Sequence, residues 1–285
     1  MKWGFFILSI LFLFSCGTIT RFPQSESTHS DLHVVFDIDW TIVSNYESEV
    51  GKLSKAGEGA LLYVEGKPYI VRDHTVTLIE NLLAKNINIS FFSGGTKSRN
   101  EELLSKILLS DGRSLKDIAY KVKSFEDLTK VPNVLETARF QERFKKDLTK
   151  IADDLSKVII IDDAFNFYVN EEQKKNRLFL GPTYKYFEEY ESIGKLSGEY
   201  IPKSYDEWLF DRDKFKIIQN LIEEALVLQK LKHLSFVDAV FIMREKYHLE
   251  SGNYNLYTHK LKLPRIQSGV QINGACGELI LPFVK

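Results

Sequence analysis

The sequence is poor in cysteine, in clustered histidine and in net charge. Its 285 residues include 2 cysteines and 6 scattered histidines, so no group of residues suited to zinc stands out. The 38 basic and 39 acidic residues leave a net charge of -1. This balance argues against binding to nucleic acid or to an anionic membrane through bulk charge, and we expect no nucleic-acid partner.

Hydrophobic residues make up 44% of the chain, which is enough for one sizeable core and a smaller appended unit. We predict a catalytic core over residues 32–190 and a mainly helical C-terminal extension over residues 191–285. In the extension, apolar residues between Ile218 and Gln229 recur at helical spacing. A second helix is predicted after Ser235, whose spacing to Asp238 fits a capping box.

The N-terminus resembles a bacterial lipoprotein signal. Lys2 precedes an apolar run that is too short to span a bilayer and that closes on Cys16. The close is similar to a lipobox, which implies lipidation of Cys16, a signal peptide over residues 1–15 and a flexible tether over residues 16–31. We therefore expect a lipid-anchored protein of the cell envelope, in the outer membrane or facing the periplasm. The alternative is a cleaved signal or an uncleaved anchor with an incidental cysteine.

From Leu32 onward, short apolar runs alternate with helical patterns, which is typical of an α/β fold with a mainly parallel sheet. Between residues 44 and 72 the Glu65-Gly66 pair fits a hairpin turn, so we predict a small hairpin flap there. The apolar runs predicted to form core strands are residues 32–36, 87–92, 157–161 and 177–182.

Polar side chains follow three of these predicted strands. Asp37 and Asp39 follow the first, and because they are two residues apart they point to the same side of an extended chain. Ser93 follows the second strand, and the pair Asp162 and Asp163 follows the third. In doubly wound sheets ligands bind outside the carboxyl ends of the strands, so we expect these groups to converge.

Several carboxylates at one small site require a cation. Two like charges 4 Å apart repel by about 4 kcal/mol at an effective dielectric constant of 20. Carboxylate oxygens are hard ligands that suit Mg²⁺, an ion that binds one or two carboxylates, water and a phosphate oxygen. The residues therefore predict Mg²⁺ as the cofactor.

The same motifs, in this order, are similar to those of the haloacid dehalogenase superfamily. They are DxDxT after a hydrophobic strand, serine after a second strand, an upstream lysine, and DD after a third strand, over residues 32–182. The stretch from Phe144 to Asp163 is similar to the C-terminal-domain phosphatase branch. The resemblance implies a Rossmann-like parallel sheet and phosphate-ester chemistry.

The resemblance also implies a role for each motif residue. Asp37 would be the nucleophile, Asp39 the general acid and base, and Lys146 a cationic clamp, with Lys145 as the alternative for the clamp. Asp163 would either bind the metal or orient the site. The implied substrate ligands are Thr41, Ser93 and Gly94, and the implied metal ligands are Asp37, Asp39 through its carbonyl, Asp162 and Asp163.

We thus expect a Mg²⁺-dependent phosphomonoester hydrolase with an aspartyl-phosphate intermediate, acting on a small or macromolecular phosphorylated substrate. Two alternatives remain open: a non-catalytic binding lipoprotein that keeps the fold, and a phosphotransferase or nucleic-acid end phosphatase. The oligomeric state is also open. The intervals between the motifs leave no room for a large cap domain, so we expect an open site with the unit after residue 190 as one wall.

Overall fold

The computed structural model describes residues 31–46, 61–164, 166–180, 189–193, 201–202 and 204–246. The predicted signal peptide, the lipidation site Cys16 and the tether up to residue 30 lie outside the described residues, as does the chain from residue 247. Within the described part, no helix has the length and apolar character needed to cross a membrane.

Ten β-strands lie in the described residues. In chain order they are β1 His33–Phe36, β2 Val43–Asn45, β3 Leu61–Val64, β4 Lys67–Val71, β5 Asn88–Phe92, β6 Lys121–Lys123, β7 Thr129–Lys130, β8 Phe144–Lys145, β9 Val158–Asp162 and β10 Arg177–Phe179.

The described residues also form seven α-helices and four short 3₁₀ helices. The α-helices are α1 Thr75–Ala84, α2 Lys97–Lys106, α3 Leu115–Ile118, α4 Phe140–Arg143, α5 Tyr190–Ile193, α6 Tyr205–Lys232 and α7 Phe236–Lys246. The 3₁₀ helices are Phe125–Asp127, Leu148–Lys150, Leu155–Lys157 and Glu171–Lys174.

A five-stranded parallel sheet with the order β10-β9-β1-β5-β6 forms the centre of the molecule. The predicted α/β fold with a parallel sheet is therefore confirmed, and the four predicted core strands are β1, β5, β9 and β10. Sequence analysis missed β6, because this edge strand has the half-buried sequence Lys-Val-Lys and carries no apolar run. With β1 in the middle, the carboxyl ends of β1, β5 and β9 lie side by side.

The two faces of the sheet pack against different layers. Val34 and Phe36 of β1 point into the larger hydrophobic cluster, while Val35 points into a smaller cluster on the other face. The larger cluster includes residues of α6 and α7, and the rings of Phe36 and Phe215 meet edge to face with centroids 6.2 Å apart. Helices α6 and α7 of the predicted extension are thus a layer of the same core.

The predicted hairpin flap is present as a three-stranded antiparallel sheet with the order β2-β4-β3. Glu65 and Gly66 form its turn with φ values of 49° and 74°, and positive φ at both central positions is the requirement of a type I′ turn. At the start of α7, one of the two bonds of the predicted capping box is present, since the Asp238 amide donates to Ser235 Oγ at 3.0 Å.

Candidate active site

The first motif is anchored at the end of the central strand. The Asp37 amide donates to the Ile161 carbonyl of β9 at 2.9 Å, which continues the strand pairing by one residue beyond β1. The Asp37 side chain is buried, and its Oδ2 accepts a hydrogen bond of 3.3 Å from Thr41 Oγ1. In turn, Thr41 Oγ1 accepts from the Asp163 amide at 3.2 Å. Thr41 therefore joins the loop after β1 to the loop after β9.

Lys146 bridges these two strand ends. Its Nζ donates to Asp37 Oδ1 and to Asp162 Oδ2, both at 2.7 Å, and only 2% of the residue is exposed. The ammonium group also lies 4.7 Å from the centroid of the Phe167 ring. The neighbouring Lys145 donates to the backbone carbonyl of Asn166 instead. Of the two adjacent lysines, the structure places Lys146 in the site.

Three of the predicted metal ligands come together. Carboxylate oxygens of Asp37, Asp162 and Asp163 all lie within 4.8 Å of one another. Asp162 is oriented through its other oxygen, Oδ1, which accepts from the Ala164 amide at 2.7 Å. The fourth predicted ligand, Asp39, was predicted to bind through its backbone carbonyl. Its carboxylate lies outside this cluster and accepts hydrogen bonds from Ser93 and Arg99.

The acidic cluster is short of positive charge. Burial raises the pKa of Asp37 to about 7; Lys146 opposes this shift, and Asp162 and Asp39 add to it. Burial likewise raises the pKa of Asp163 well above its usual range, and repulsion from Asp37 and Asp162 adds to the effect.

The pKa of Lys146 also reflects the excess of negative charge around it. Burial acts to lower it, but Asp162 and Asp37 outweigh burial and hold it above its ordinary value. The pKa of Asp37 still rises, because burial and the charges of Asp162 and Asp39 outweigh the effect of the one ammonium group. A hard divalent cation fits this donor set, since all the available ligand atoms are carboxylate oxygens and the cluster lacks positive charge.

Asp39 faces the cleft and is held by two neighbours. Its Oδ2 accepts from Ser93 Oγ at 3.0 Å and from Arg99 Nη1 at 2.9 Å, and Arg99 Nη2 donates to Oδ1. A Cβ on Gly95 would lie 2.5 Å from both Arg99 Nη1 and Asn100 Oδ1, so a side chain there would displace one or both of these groups. Sequence analysis missed Arg99, since a single arginine in the exposed pattern of a helix carries no signal for a site.

A second arginine that sequence analysis missed, Arg72, forms hydrogen bonds to the backbone of the first motif. Trp40 has a φ of 61°, in the left-handed region that few large side chains adopt. Arg72, from the loop after β4, donates to the Thr41 carbonyl at 2.9 Å and to the Trp40 carbonyl at 3.4 Å. The same guanidinium donates to the Asp211 carbonyl of α6 at 3.1 Å. The motif loop is thereby tied to a helix more than 160 residues further along the chain.

The carboxylates of the three acidic cluster residues and Asp39 line a cleft of about 380 Å³. None of its described lining residues follows Phe167, so the expectation that the unit after residue 190 would form a wall is wrong for the described residues. Helices α6 and α7 of this unit pack against the sheet instead. The lining residues are Asp37, Asp39, Trp40, Ser93, Gly94, Gly95, Arg99, Phe140, Gln141, Asp162, Asp163, Ala164 and Phe167.

Comparison with known proteins gives a family and two similar structures. The model of the family described as NLI interacting factor-like phosphatase matches residues 32–188. One similar structure is the fission yeast RNA polymerase II CTD phosphatase Fcp1, as an arginine variant bound to beryllium fluoride. It has 16% identity and a TM-score of 0.39, and the alignment covers 76% of this chain and 63% of that one.

The other structure, described as Fcp1, an essential RNA polymerase II CTD phosphatase, has 16% identity and a TM-score of 0.37, with 78% of this chain and 54% of that one covered. The chain thus spans less than two thirds of the length of either structure. No curated protein matches the sequence. Since the family match covers more than half of the chain and includes every predicted motif, this protein belongs to the NLI interacting factor-like phosphatases, the C-terminal-domain phosphatase branch of the haloacid dehalogenase superfamily.

Proposed function

We propose that this phosphatase hydrolyses phosphate monoesters through a covalent aspartyl phosphate on Asp37. The observation that carries the proposal is the pair of buried ion pairs that Lys146 forms with Asp37 and Asp162, two carboxylates that line the cleft. A structural ion pair would need one carboxylate for one ammonium. Here one lysine pairs with two carboxylates, and an oxygen of a third, Asp163, lies within 4.8 Å of theirs, which suits a site that binds a divalent cation.

In the first step an oxygen of the Asp37 carboxylate attacks phosphorus, and the bond from phosphorus to the ester oxygen breaks. Asp39, which Ser93 and Arg99 hold in the cleft, donates a proton to the leaving oxygen. Lys146 keeps a positive charge beside the attacking carboxylate as negative charge develops on the phosphoryl group. Mg²⁺, held by Asp37, Asp162 and Asp163, would supply further neutralisation of phosphoryl charge.

In the second step water attacks phosphorus and the bond between phosphorus and the Asp37 oxygen breaks. Asp39 accepts a proton from this water and so returns to its starting state. The products are inorganic phosphate and free Asp37. Gly94, which follows Ser93 and lines the cleft, would bind a phosphate oxygen through its backbone amide.

The test is hydrolysis of p-nitrophenyl phosphate by the purified protein, with Mg²⁺ and after chelation. We expect activity that requires Mg²⁺ and that falls at least about a thousandfold on Asp37→Asn, because the amide cannot form the covalent intermediate. Beryllium fluoride should inhibit as a mimic of the phosphorylated aspartate. Wild-type turnover in Asp37→Asn would reject the assigned nucleophile.

Two adjacent lysines provide a matched pair of variants for the same assay. Lys146→Met removes the buried ammonium and should abolish activity, whereas Lys145→Met removes a positive charge next to it in the chain and should retain activity. Equal losses in the two variants would contradict the role of Lys146. A folded wild-type protein that binds phosphate but hydrolyses no monoester would favour the non-catalytic alternative.

We further propose that the chain is anchored in the cell envelope through lipid on Cys16, on the support of the lipobox-like sequence alone. Metabolic labelling with palmitate should tag the wild-type protein in a bacterial host, and Cys16→Ser should remove the label. An unlabelled wild-type protein, with its N-terminus mapped elsewhere, would contradict lipid anchorage.

A further inference from the structure

Four phenylalanine rings pack together in one cluster, and two of them line the cleft. We call Phe125, Phe140, Phe144 and Phe167 the aromatic wall. The Phe140 ring is at its centre, with centroids 5.1 Å from Phe144, 5.8 Å from Phe167 and 6.2 Å from Phe125. Phe125 and Phe144 also contact each other at 5.2 Å. Sequence analysis missed this wall, because its four rings come from three separate elements and a loop and meet only through tertiary packing.

Two of the four rings of the wall face the cleft. Phe140 and Phe167 line the same cleft as Asp37 and Asp39. Phe140 remains 36% exposed although three rings pack against it, whereas Phe167 is 7% exposed and lies under the Lys146 ammonium. Phe140 therefore presents a ring that is held in place by its neighbours and is still open to a ligand.

The position of Phe140 places it beside the leaving group of the proposed reaction. A Cβ on Gly94 would lie 2.9 Å from Phe140 Cε1, so the ring lies directly against the backbone after Ser93. Ser93 donates to Asp39, the residue that protonates the leaving oxygen in the proposed mechanism. The group attached to that oxygen is thus directed toward Asp39 and the neighbouring wall.

We propose that the aromatic wall binds the ring of an aryl phosphate monoester, the phosphate ester of a phenolic hydroxyl, and that Phe140 is its main contact. This inference rests on the proposed phosphohydrolase activity and adds a substrate class to it. Aromatic rings stack offset or meet edge to face with centroids 4.5–7 Å apart, and the wall is already packed in this range. A rigid, prebuilt surface also loses little conformational freedom on binding.

The test measures binding apart from turnover, because phosphonates carry a carbon–phosphorus bond that the proposed reaction does not cleave. Calorimetric titrations of phenylphosphonate and methylphosphonate, in Mg²⁺, give the ratio of the two dissociation constants. We expect the wild-type protein to bind the phenyl ligand roughly 3- to 10-fold more tightly. Phe140→Leu should lower this preference by the same factor, and Phe140→Trp should retain it.

Tyr63→Leu is the matched control, since it removes an exposed ring that does not line the cleft, and the preference should stay as in the wild type. Circular dichroism and thermal unfolding of each variant show whether it is folded. Equal binding of both phosphonates by the wild type, or an unchanged preference in folded Phe140→Leu, would overturn the inference and leave the hydrolase proposal standing. Failure of both phosphonates to bind, together with full turnover in Asp37→Asn, would overturn both.

Discussion

At the scale of single residues, the site depends on a lysine that is buried among carboxylates. Burial of an ammonium group is unfavourable unless it is paired, and here Asp37 and Asp162 provide the pairing. Asp163 completes the cluster and leaves it with excess negative charge. The same imbalance that favours a cation in the site should lower the stability of the metal-free protein.

The pKa of Asp37 makes this instability depend on pH. Burial raises the pKa to about 7 in the folded protein, from 3.8 in an unperturbed chain, so between these values the folded state binds a proton that the unfolded state has lost. The contribution of Asp37 to stability therefore falls as pH rises from about 4 to 7, and it stays low above pH 7.

We expect Asp37→Asn to increase the free energy of unfolding of the metal-free protein at pH 8, on the order of 3 kcal/mol, and to increase it less at pH 5. Urea denaturation in the presence of a chelator measures both values. Adding Mg²⁺ should narrow the difference at pH 8, because the cation stabilises the folded wild type. The same gain at both pH values would show that Asp37 does not carry this pH dependence.

At the scale of elements, a buried ionic network connects the hairpin flap, the first motif and α6. Asp211 of α6 accepts from Lys214 Nζ at 2.7 Å and from Arg72 Nη1 at 3.4 Å, and Arg72 also binds the carbonyls of the motif loop. Burial acts to raise the pKa of Asp211, but Lys214 and Arg72 outweigh burial and keep it below its usual value. The long helix is thus connected through Arg72 to the loop that follows Asp37.

Removal of one partner from such a network should destabilise the fold. We expect Asp211→Asn to lower the free energy of unfolding by about 3 kcal/mol, because it leaves the buried cations without this carboxylate. The matched control is Asp213→Asn, two residues further along α6, whose carboxylate pairs with His74 and Lys216 near the surface. Asp213→Asn should lower the free energy of unfolding by less than about 1 kcal/mol. Urea denaturation compares the two, and equal losses would contradict a special role for Asp211.

At the scale of the whole molecule, the sheet and the C-terminal helices share one core. Phe215, Leu221, Ile222 and Phe236 are fully buried in the same cluster as Phe36. We predicted a border at residue 190 between the catalytic core and the extension. The buried side chains of the two units nevertheless pack together in one cluster.

A chain ending at residue 190 should therefore lose its fixed tertiary structure. The truncation would expose the apolar face of the sheet that α6 and α7 cover, and exposed apolar area of this kind leads to aggregation. Near-ultraviolet circular dichroism and gel filtration of the mature chain and the truncated chain measure the effect. A monomeric truncated chain with wild-type side-chain signals would show that α6 and α7 are dispensable for folding.

The sequence by itself determined the fold class, four core strands, the hairpin turn and the motif residues at the ends of the strands. These features are local: an apolar run, a Glu65-Gly66 turn and polar residues directly after a strand each leave a signal within a few positions. The order of the motifs along the chain also determined the family, which the family match confirms.

Only the tertiary structure decided which distant groups act together. Arg99 reaches Asp39 across 60 positions, Arg72 reaches Asp211 across 139, and Phe140 meets Phe167 by packing alone. The choice between Lys145 and Lys146 also needed coordinates, because adjacent residues at the end of a short strand point in opposite directions and the sequence does not show which one faces inward. Such contacts depend on how elements pack, and a linear pattern carries no record of that packing.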